Sequence, residues 1–349
     1  MEQYTEEYME EYIEQYKYEI PGSVILDGNT KITEFPYSRH EIEGILSLKH
    51  CTSLHHLPEC LSVAWDLDVS YSGIETFSET LFVLGNIIGN HSSLRSISNL
   101  KRTHADLILS GCEYLEEMPE LLVVNGDLDL SYCTRLKKLP SKLLVRGNLN
   151  LQGSSITSLP ENLLVGGDIS LSGTPIKHLP VGLQVGGYLD LSRCNYLRAL
   201  PSQLYVRTFL NLFDSGVESF TNAQDLHVGG IIVNPAGSLI THKNGRMQAI
   251  PNPEDNLMPE NLLQLSRVPL DAVFMGNGNF VSYNNELCRI IFSRNDIYVA
   301  EDLCFSSSDG IASVLYHGDD GRYRLEYILN LPTDDFANEW FGEAFSHTF

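Results

Sequence analysis

The sequence predicts a solenoid of α/β type, and three observations carry that prediction. Stretches reading Leu-x-Leu-Ser, or close to it, recur with first residues Leu46, Leu67, Ile87, Leu107, Leu128, Leu149, Ile169, Leu189 and Leu210, always 20 or 21 residues apart. Five positions after each first residue stands a small polar or thiol side chain: Cys51, Ser72, Ser92, Cys112, Cys133, Ser154, Thr174, Cys194 and Ser215. That side chain sets the spacing. After cysteine the next apolar residue comes three positions later (Leu54, Leu115, Leu136, Leu197); after Ser or Thr it comes two later (Ile74, Leu94, Ile156, Ile176, Val217). The extra residue accounts for the 21-residue spacings after Leu46, Leu107, Leu128 and Leu189. A fixed period in this range belongs to units that cannot bury an apolar face alone and must stack on their neighbours.

Each unit opens with a strand. In Asp168-Ile169-Ser170-Leu171-Ser172, Ile169 and Leu171 point one way and the three polar residues the other, the alternation of a half-buried strand. The chain then runs through Leu179-Pro180, Leu183 and Val185 to Gly186-Gly187, where positive φ is expected at a tight corner. About ten residues remain for the return path, too few for a long helix and two turns. Extended or 3₁₀ segments are expected there.

These residues resemble the leucine-rich-repeat family, whose pattern Leu-x-x-Leu-x-Leu-x-x-Asn-x-Leu has a variant with Cys and one extra residue. Here Ser, Thr or Cys occupies the Asn/Cys position. The resemblance covers residues 24 to 240 and implies a right-handed array of about ten repeats of 20–21 residues, with short parallel strands on the concave face. The single Leu-Pro and the short period look most like the effectors that bacterial pathogens deliver into host cells. The doubled Leu-Pro-x-Leu-Pro of the enteric effectors is missing, and Val-Gly-Gly replaces part of it.

The flanks read differently. Residues 1–20 place Tyr4, Tyr8, Tyr12 and Tyr16 four apart among glutamates, an amphipathic helix suited to cap the first repeat or to act as a delivery or partner-binding helix. From 241 to 349 the period stops. A short helix is expected at 259–266, strands at 272–283, 286–293, 297–300, 312–317 and 323–329, and a terminal helix over 334–349, together a small α+β module or cap.

Composition narrows the function classes. With 45 acidic against 23 basic side chains the formal charge is −22, so direct nucleic-acid binding is not expected, because phosphate contacts rest on Lys/Arg clusters. A protein partner with a basic surface is expected. The charge is heavy at the ends: residues 1–19 carry net −6 and residues 241–349 net −9. The acidic N-terminus does not read as a secretory signal, and no apolar run approaches the ~20 residues of a membrane helix. Seven cysteines, four of them in the ladder column, read as small buried hydrophobes in a reducing cytoplasm, with delivery into a host cytosol implied by the resemblance alone.

Two outward columns are candidate contact surfaces. One runs Asp66, Asn86, Asp106, Asp127, Asn148, Asp168, Tyr188, Phe209; the next runs Asp68, Asp129, Asn150, Ser170, Asp190, Asn211. On a functional reading Asp106, Asp127, Asp129, Asp168, Tyr188, Asp190, Phe209 and Phe213 bind a basic, partly apolar protein. On a structural reading the acids and amides simply solubilise the ladder, and their interruption by Asn and Ser fits that.

Enzyme chemistry is weakly signalled. Cys288, Cys304, His317 and Asp319 permit a nucleophilic arrangement in the 241–349 module, but their spacing specifies none. No Cys/His spacing suggests zinc, His50, His55 and His56 read as solvent-facing loop residues, and no small-molecule cofactor is implied. The expected function is non-enzymatic protein binding. The alternatives are a catalytic terminal module recruited by the repeats, and an acidic mimic of nucleic acid.

Overall fold

The computed structural model describes residues 22–36, 41–218, 226–237, 239–243 and 246–249, and the backbone of seven strands between residues 269 and 330. The chain divides into two compact units, Met1–Leu183 with Cys194–Leu197, and Gln184–Arg193 with Arg198–Phe349.

The described part of the first unit is a parallel-strand β-solenoid. Its front sheet stacks Val24–Ile25, Leu46–Ser47, Leu67–Asp68, Ile87–Ile88, Leu107–Ile108, Leu128–Asp129, Leu149–Asn150 and Ile169–Ser170, each parallel to the next. The register pairs Leu46 with Leu67, then Ile87, Leu107, Leu128, Leu149 and Ile169, the column the period predicts. All seven are buried, as are Leu48, Val69, Leu109, Leu130, Leu151 and Leu171 two positions on. Each such side chain removed from water contributes about 2 kcal/mol.

The return path is extended, as its length requires, and it carries strands of its own. Ser62–Val63 pairs with Glu41–Ile42 and Phe82–Val83; Leu121–Val124 pairs with Arg102–Thr103 and Lys142–Val145, which in turn pairs with Leu164–Val165. Val63, Val83, Val124, Val145 and Val165 fill the interior from this back side. Between front and back, isolated bridges join His56, Thr76, Ser96 and Glu117 in series, and Ser158 to His178, forming a side ladder. The expected α/β character is therefore corrected: no helix occurs among the described residues, because every leg of the turn is taken by a short strand or bridge.

The ladder column behaves as its chemistry predicts. Cys51, Cys112, Cys133 and Cys194 are fully buried, and Ser72, Ser92, Ser154 and Thr174 nearly so. The hydroxyls of Ser72, Ser92 and Thr174 donate to the carbonyl three residues back, within their own turn. The thiols reach the preceding turn instead: Cys51 donates to the Leu26 carbonyl, Cys112 to Gly89, Cys133 to Leu109 and Cys194 to Leu171. After each cysteine the chain closes a three-residue turn, with Leu54, Leu115, Leu136 and Leu197 donating their N–H to the cysteine carbonyl. That turn is the twenty-first residue of the longer units.

The glycines before the front strand have a different role from the expected one. Neither Gly186 nor Gly187 takes positive φ, nor do Gly85, Gly126, Gly147 and Gly167 at or beside the same place in other turns. What matters is the missing Cβ. A Cβ on Gly85 would meet Asp66 Oδ1, one on Gly126 Asp106 Oδ1, one on Gly147 Asp127 Oδ1, and one on Gly167 Asn148 Oδ1.

In the second unit Leu189–Asp190, Leu210–Asn211 and Ile231–Val233 form parallel rungs, with Gln184–Val185, Tyr205–Val206 and His227–Val228 on a second sheet. Leu239–Lys243 then turns antiparallel onto Ile231–Val233, followed by Arg246–Ala249. Further on, Val273–Met275, Phe280–Tyr283, Glu286–Arg294, Ile297–Asp302, Ile311–His317 and Tyr323–Asn330 pair in sequence as an antiparallel meander, with Pro269–Leu270 along the last strand. These strands lie close to the stretches expected from composition. The helices expected over 1–20, 259–266 and 334–349 lie outside the described residues.

Candidate interaction surface

The front strands are flanked by two columns of side chains, one just before the strand and one at the turn just after it. The column before the strand is an Asp/Asn ladder. Asp66 Oδ1 accepts the backbone N–H of Asn86 at 2.7 Å, Asn86 Oδ1 that of Asp106 at 3.1 Å, and Asp106 Oδ1 that of Asp127 at 2.8 Å. Asp127 Oδ1 accepts from Asn148 at 2.7 Å, and Asn148 Oδ1 from Asp168 at 2.8 Å. Each oxygen sits where the next turn's glycine has no Cβ, which is why the sequence reads Gly-Asn or Gly-Asp at these rungs. The one exception proves the geometry: Ala105 stands before Asp106, and the bond there is the longest of the five. Ile45 has no side-chain acceptor to offer, and the following turn accommodates Trp65 at the glycine position.

Asp106, Asp127 and Asp168 of the sequence-based surface thus belong to one column; the carboxylates of Asp106 and Asp127 hold the backbone of the next turn, and Asp168 donates its own N–H to Asn148. Asp168 is 9% exposed. In the neighbouring column Asp129 Oδ1 accepts the N–H of Ser131 at 2.8 Å, and its other oxygen accepts the Asn150 amide at 3.2 Å. Asp190 makes the same bond to Ser192 at 2.9 Å in the second unit. Burial pushes the Asp190 carboxyl above the ordinary carboxylate range, opposed by bonds from Ser192 and Asn211. Phe209 is 1% exposed and fills the core, which removes it from any contact surface. Tyr188 and Phe213 are half-buried in the same unit.

The column after the strand escaped the sequence reading. At this position every turn passes through the left-handed region: Gly28, His50, Tyr71, His91, Gly111, Tyr132, Gly153, Gly173, Arg193 and Asp214 all have φ between +53° and +74°. Glycine takes this conformation freely, whereas other L-residues lose about 1 kcal/mol or more. Yet His50, Tyr71, His91 and Tyr132 occupy it and point outward, Tyr71 at 47% exposure and Tyr132 at 51%. The rings of His50 and Tyr71 stack at 4.8 Å, and those of Tyr71 and His91 at 5.1 Å. The His91 and Tyr132 rings lie over Gly111 and Gly153 of the following turns. The glycines at 28, 111, 153 and 173 were the available signal, since a column shared by Gly and aromatics marks a positive-φ turn.

A second exposed tyrosine group lies just beyond. Tyr114 has Arg95 of the preceding turn 5.3 Å and Arg135 of the following turn 5.1 Å from its ring centre. Those guanidiniums pair with Glu75 at 3.7 Å and Glu116 at 3.2 Å. The turns that carry these rings are acidic: residues 22–134 hold sixteen acids and six bases.

Reactive chemistry finds little support in the described residues. Burial pushes the Cys51 thiol up to about 11 and raises those of Cys112 and Cys133, which leaves them protonated and inert. Cys60 is exposed. No group of His, Cys, Asp or Glu among the described residues has metal-binding geometry, and His50, His55 and His56 are exposed as expected. Cys288 and His317 lie in strands whose side chains are not described, and Cys304, Asp319 and residues 334–349 lie outside the described residues. No helix of the described residues is long and apolar enough to cross a membrane.

Comparison with known proteins returned no match: no family model fits the sequence, no curated protein aligns with it significantly, and no solved structure superposes on it significantly.

Proposed function

We propose that the chain is a leucine-rich-repeat protein without chemistry of its own, which binds a basic, partly apolar protein along the aromatic ridge of Tyr71, Tyr114 and Tyr132. The observation that carries this reading is the outward aromatic at a left-handed turn. Each of His50, Tyr71, His91 and Tyr132 holds a backbone conformation that glycine fills at lower cost in the sister turns. Backbone strain kept at an exposed position is characteristic of binding sites, and tyrosine supplies large, rigid contact area at interface centres. The acidic turns behind the ridge steer a basic partner toward it. The acid columns supply charge to that encounter while their oxygens hold the backbone.

The fixed 20/21 period, the Leu-x-Leu column and the buried Ser/Thr/Cys ladder support leucine-rich-repeat membership. The resemblance to short-repeat bacterial effectors supports a role inside a reducing host cytosol, with the 241–349 module as a second contact element.

The test is capture from eukaryotic cytosolic lysate with the intact chain, with Tyr71→Ala/Tyr132→Ala and with Asp127→Asn, followed by mass spectrometry and titration of the purified partner. The expected result is one basic protein held by the intact chain and by Asp127→Asn, and lost with the tyrosine variant. Loss with Asp127→Asn, thermal unfolding unchanged, returns the site to the acid column. Retention of the partner by both variants removes the ridge from the site, and no specific partner removes the reading altogether.

A further inference from the structure

The charge of the solenoid is polarised along its length. The turns from residue 22 to 134 carry net −10, whereas residues 135–183, which complete the described turns of the first unit, hold six bases and two acids. On the side ladder the change is abrupt. In the upstream turns acids and bases face one another: Glu75 pairs with Arg95 and Glu116 with Arg135, and Glu117 is the last acid on the ladder. The next positions of the same two columns are Lys137 and Lys138, then Thr157 and Ser158, then Lys177 and His178. Backbone bonding fixes the last two of these rungs, since Lys177 N–H donates to the Thr157 carbonyl at 3.2 Å and Ser158 bridges His178, and the repeat spacing places Lys137 and Lys138 on the rung before them. All six side chains are exposed. Lys137, Lys138 and Lys177 form no ion pair with a described residue, and the Thr157 and Ser158 hydroxyls no hydrogen bond with one.

We propose that Lys137, Lys138, Lys177 and His178, with Thr157 and Ser158 between them, form a docking face for a short acidic polypeptide segment of a second partner. Like charges repel: Lys137 and Lys138 share one rung, and Lys177 stands two rungs of about 4.8 Å away, roughly one Debye length at 0.1 M salt. A ligand that supplies carboxylates relieves that repulsion, and the hydroxyls of the middle rung donate to the same oxygens. Lys137 and Lys177 lie two rungs apart, about 9.6 Å, close to the ~9.3 Å between residues i and i+3 of a polyproline II segment, whose side chains at that spacing share one face. Acids at every third position therefore meet both lysine rungs.

The length of the face excludes a long polyanion. Beyond about 8 Å exposed charges are screened at physiological salt, so the patch attracts only what lies against it. A nucleic-acid strand that follows the stack runs onto the acidic turns upstream, where each phosphate is repelled. A second copy of this chain carries −22 and is likewise disfavoured. This face is independent of the aromatic ridge; with both engaged, the solenoid holds a basic and an acidic partner together.

The experiment is fluorescence anisotropy of a labelled twelve-residue peptide repeating Glu-Ser-Ser, titrated with the full chain at low and physiological salt, beside a twelve-nucleotide thymidine strand. Lys137→Gln/Lys138→Gln/Lys177→Gln is expected to weaken peptide binding at least tenfold, while Lys101→Gln/Lys142→Gln, on the back of the same unit, changes it less than twofold. A peptide with Gln for Glu is expected not to bind, which tests the carboxylates without altering the protein. No binding of the Glu peptide, equal loss in both protein variants, or thymidine-strand binding as tight as the peptide's overturns the proposal.

Discussion

The two columns that flank the front sheet differ in what their side chains are free to do. Before the strand, Asp106, Asp127 and Asn148 look like surface residues in the sequence, yet an oxygen of each is bound to the backbone of the next turn. After the strand, Tyr71 and Tyr132 stand next to the buried Ser/Cys ladder in the sequence, yet they are exposed to solvent on a left-handed turn. The difference teaches that in a stacked repeat the periodic acid is structural when it recurs beside a periodic glycine. The aromatic that replaces a glycine is the one left in solvent.

The largest effect is expected where the first column is blocked outright. Gly147→Ala places a Cβ against Asp127 Oδ1 and the Gly126 backbone, so the ladder bond and the local stacking are lost together. We expect a loss of about 2 kcal/mol, in the range of overpacked interior sites, measured by urea unfolding. Stability within ~0.5 kcal/mol of the parent, the usual scatter of neutral surface changes, would show that the ladder relaxes freely.

The contrast between the columns sharpens with a matched pair. Asp127→Ala leaves the Asn148 N–H without its acceptor and is expected to cost about 1–2 kcal/mol, while Asp127→Asn keeps Oδ1 and costs little. Tyr132→Gly relieves the left-handed backbone and is expected to leave stability unchanged or raise it by up to ~1 kcal/mol. Unfolding curves in which Tyr132→Gly is the more damaging change would reverse the assignment of roles.

Much of the architecture was legible because it depends on spacing alone. The front column, the buried ladder and the longer cysteine turns follow from counting residues, and the strands near 273–330 from composition and turn signals. The Asp/Asn ladder was harder to read, since its bonds join residues about twenty apart and appear only once the register is known. The Gly-Asn and Gly-Asp pairs at 85–86, 126–127, 147–148 and 167–168 hold the information, in the missing Cβ of each glycine. Exposure of the turn aromatics depends on φ, which a non-glycine residue does not advertise. Burial of Phe209 depends on packing in the second unit, which a column count does not reveal.

The smallest expected effect lies at Asp190, where the acid of the second column is least at ease. Desolvation raises its carboxyl above the ordinary range despite the N–H of Ser192 at 2.9 Å. An acid whose folded-state pKa is raised binds protons more readily folded than unfolded, so its ionised form costs stability at neutral pH. That cost shrinks as pH falls through the folded-state value and is gone below the unfolded value of about 3.9. Asp190→Asn keeps the acceptor oxygen and removes the charge. Its Tm is therefore expected to exceed the parent's at pH 7, with the gap closing toward pH 3. A gap that widens in acid would instead make the ionised Asp190 carboxylate stabilising.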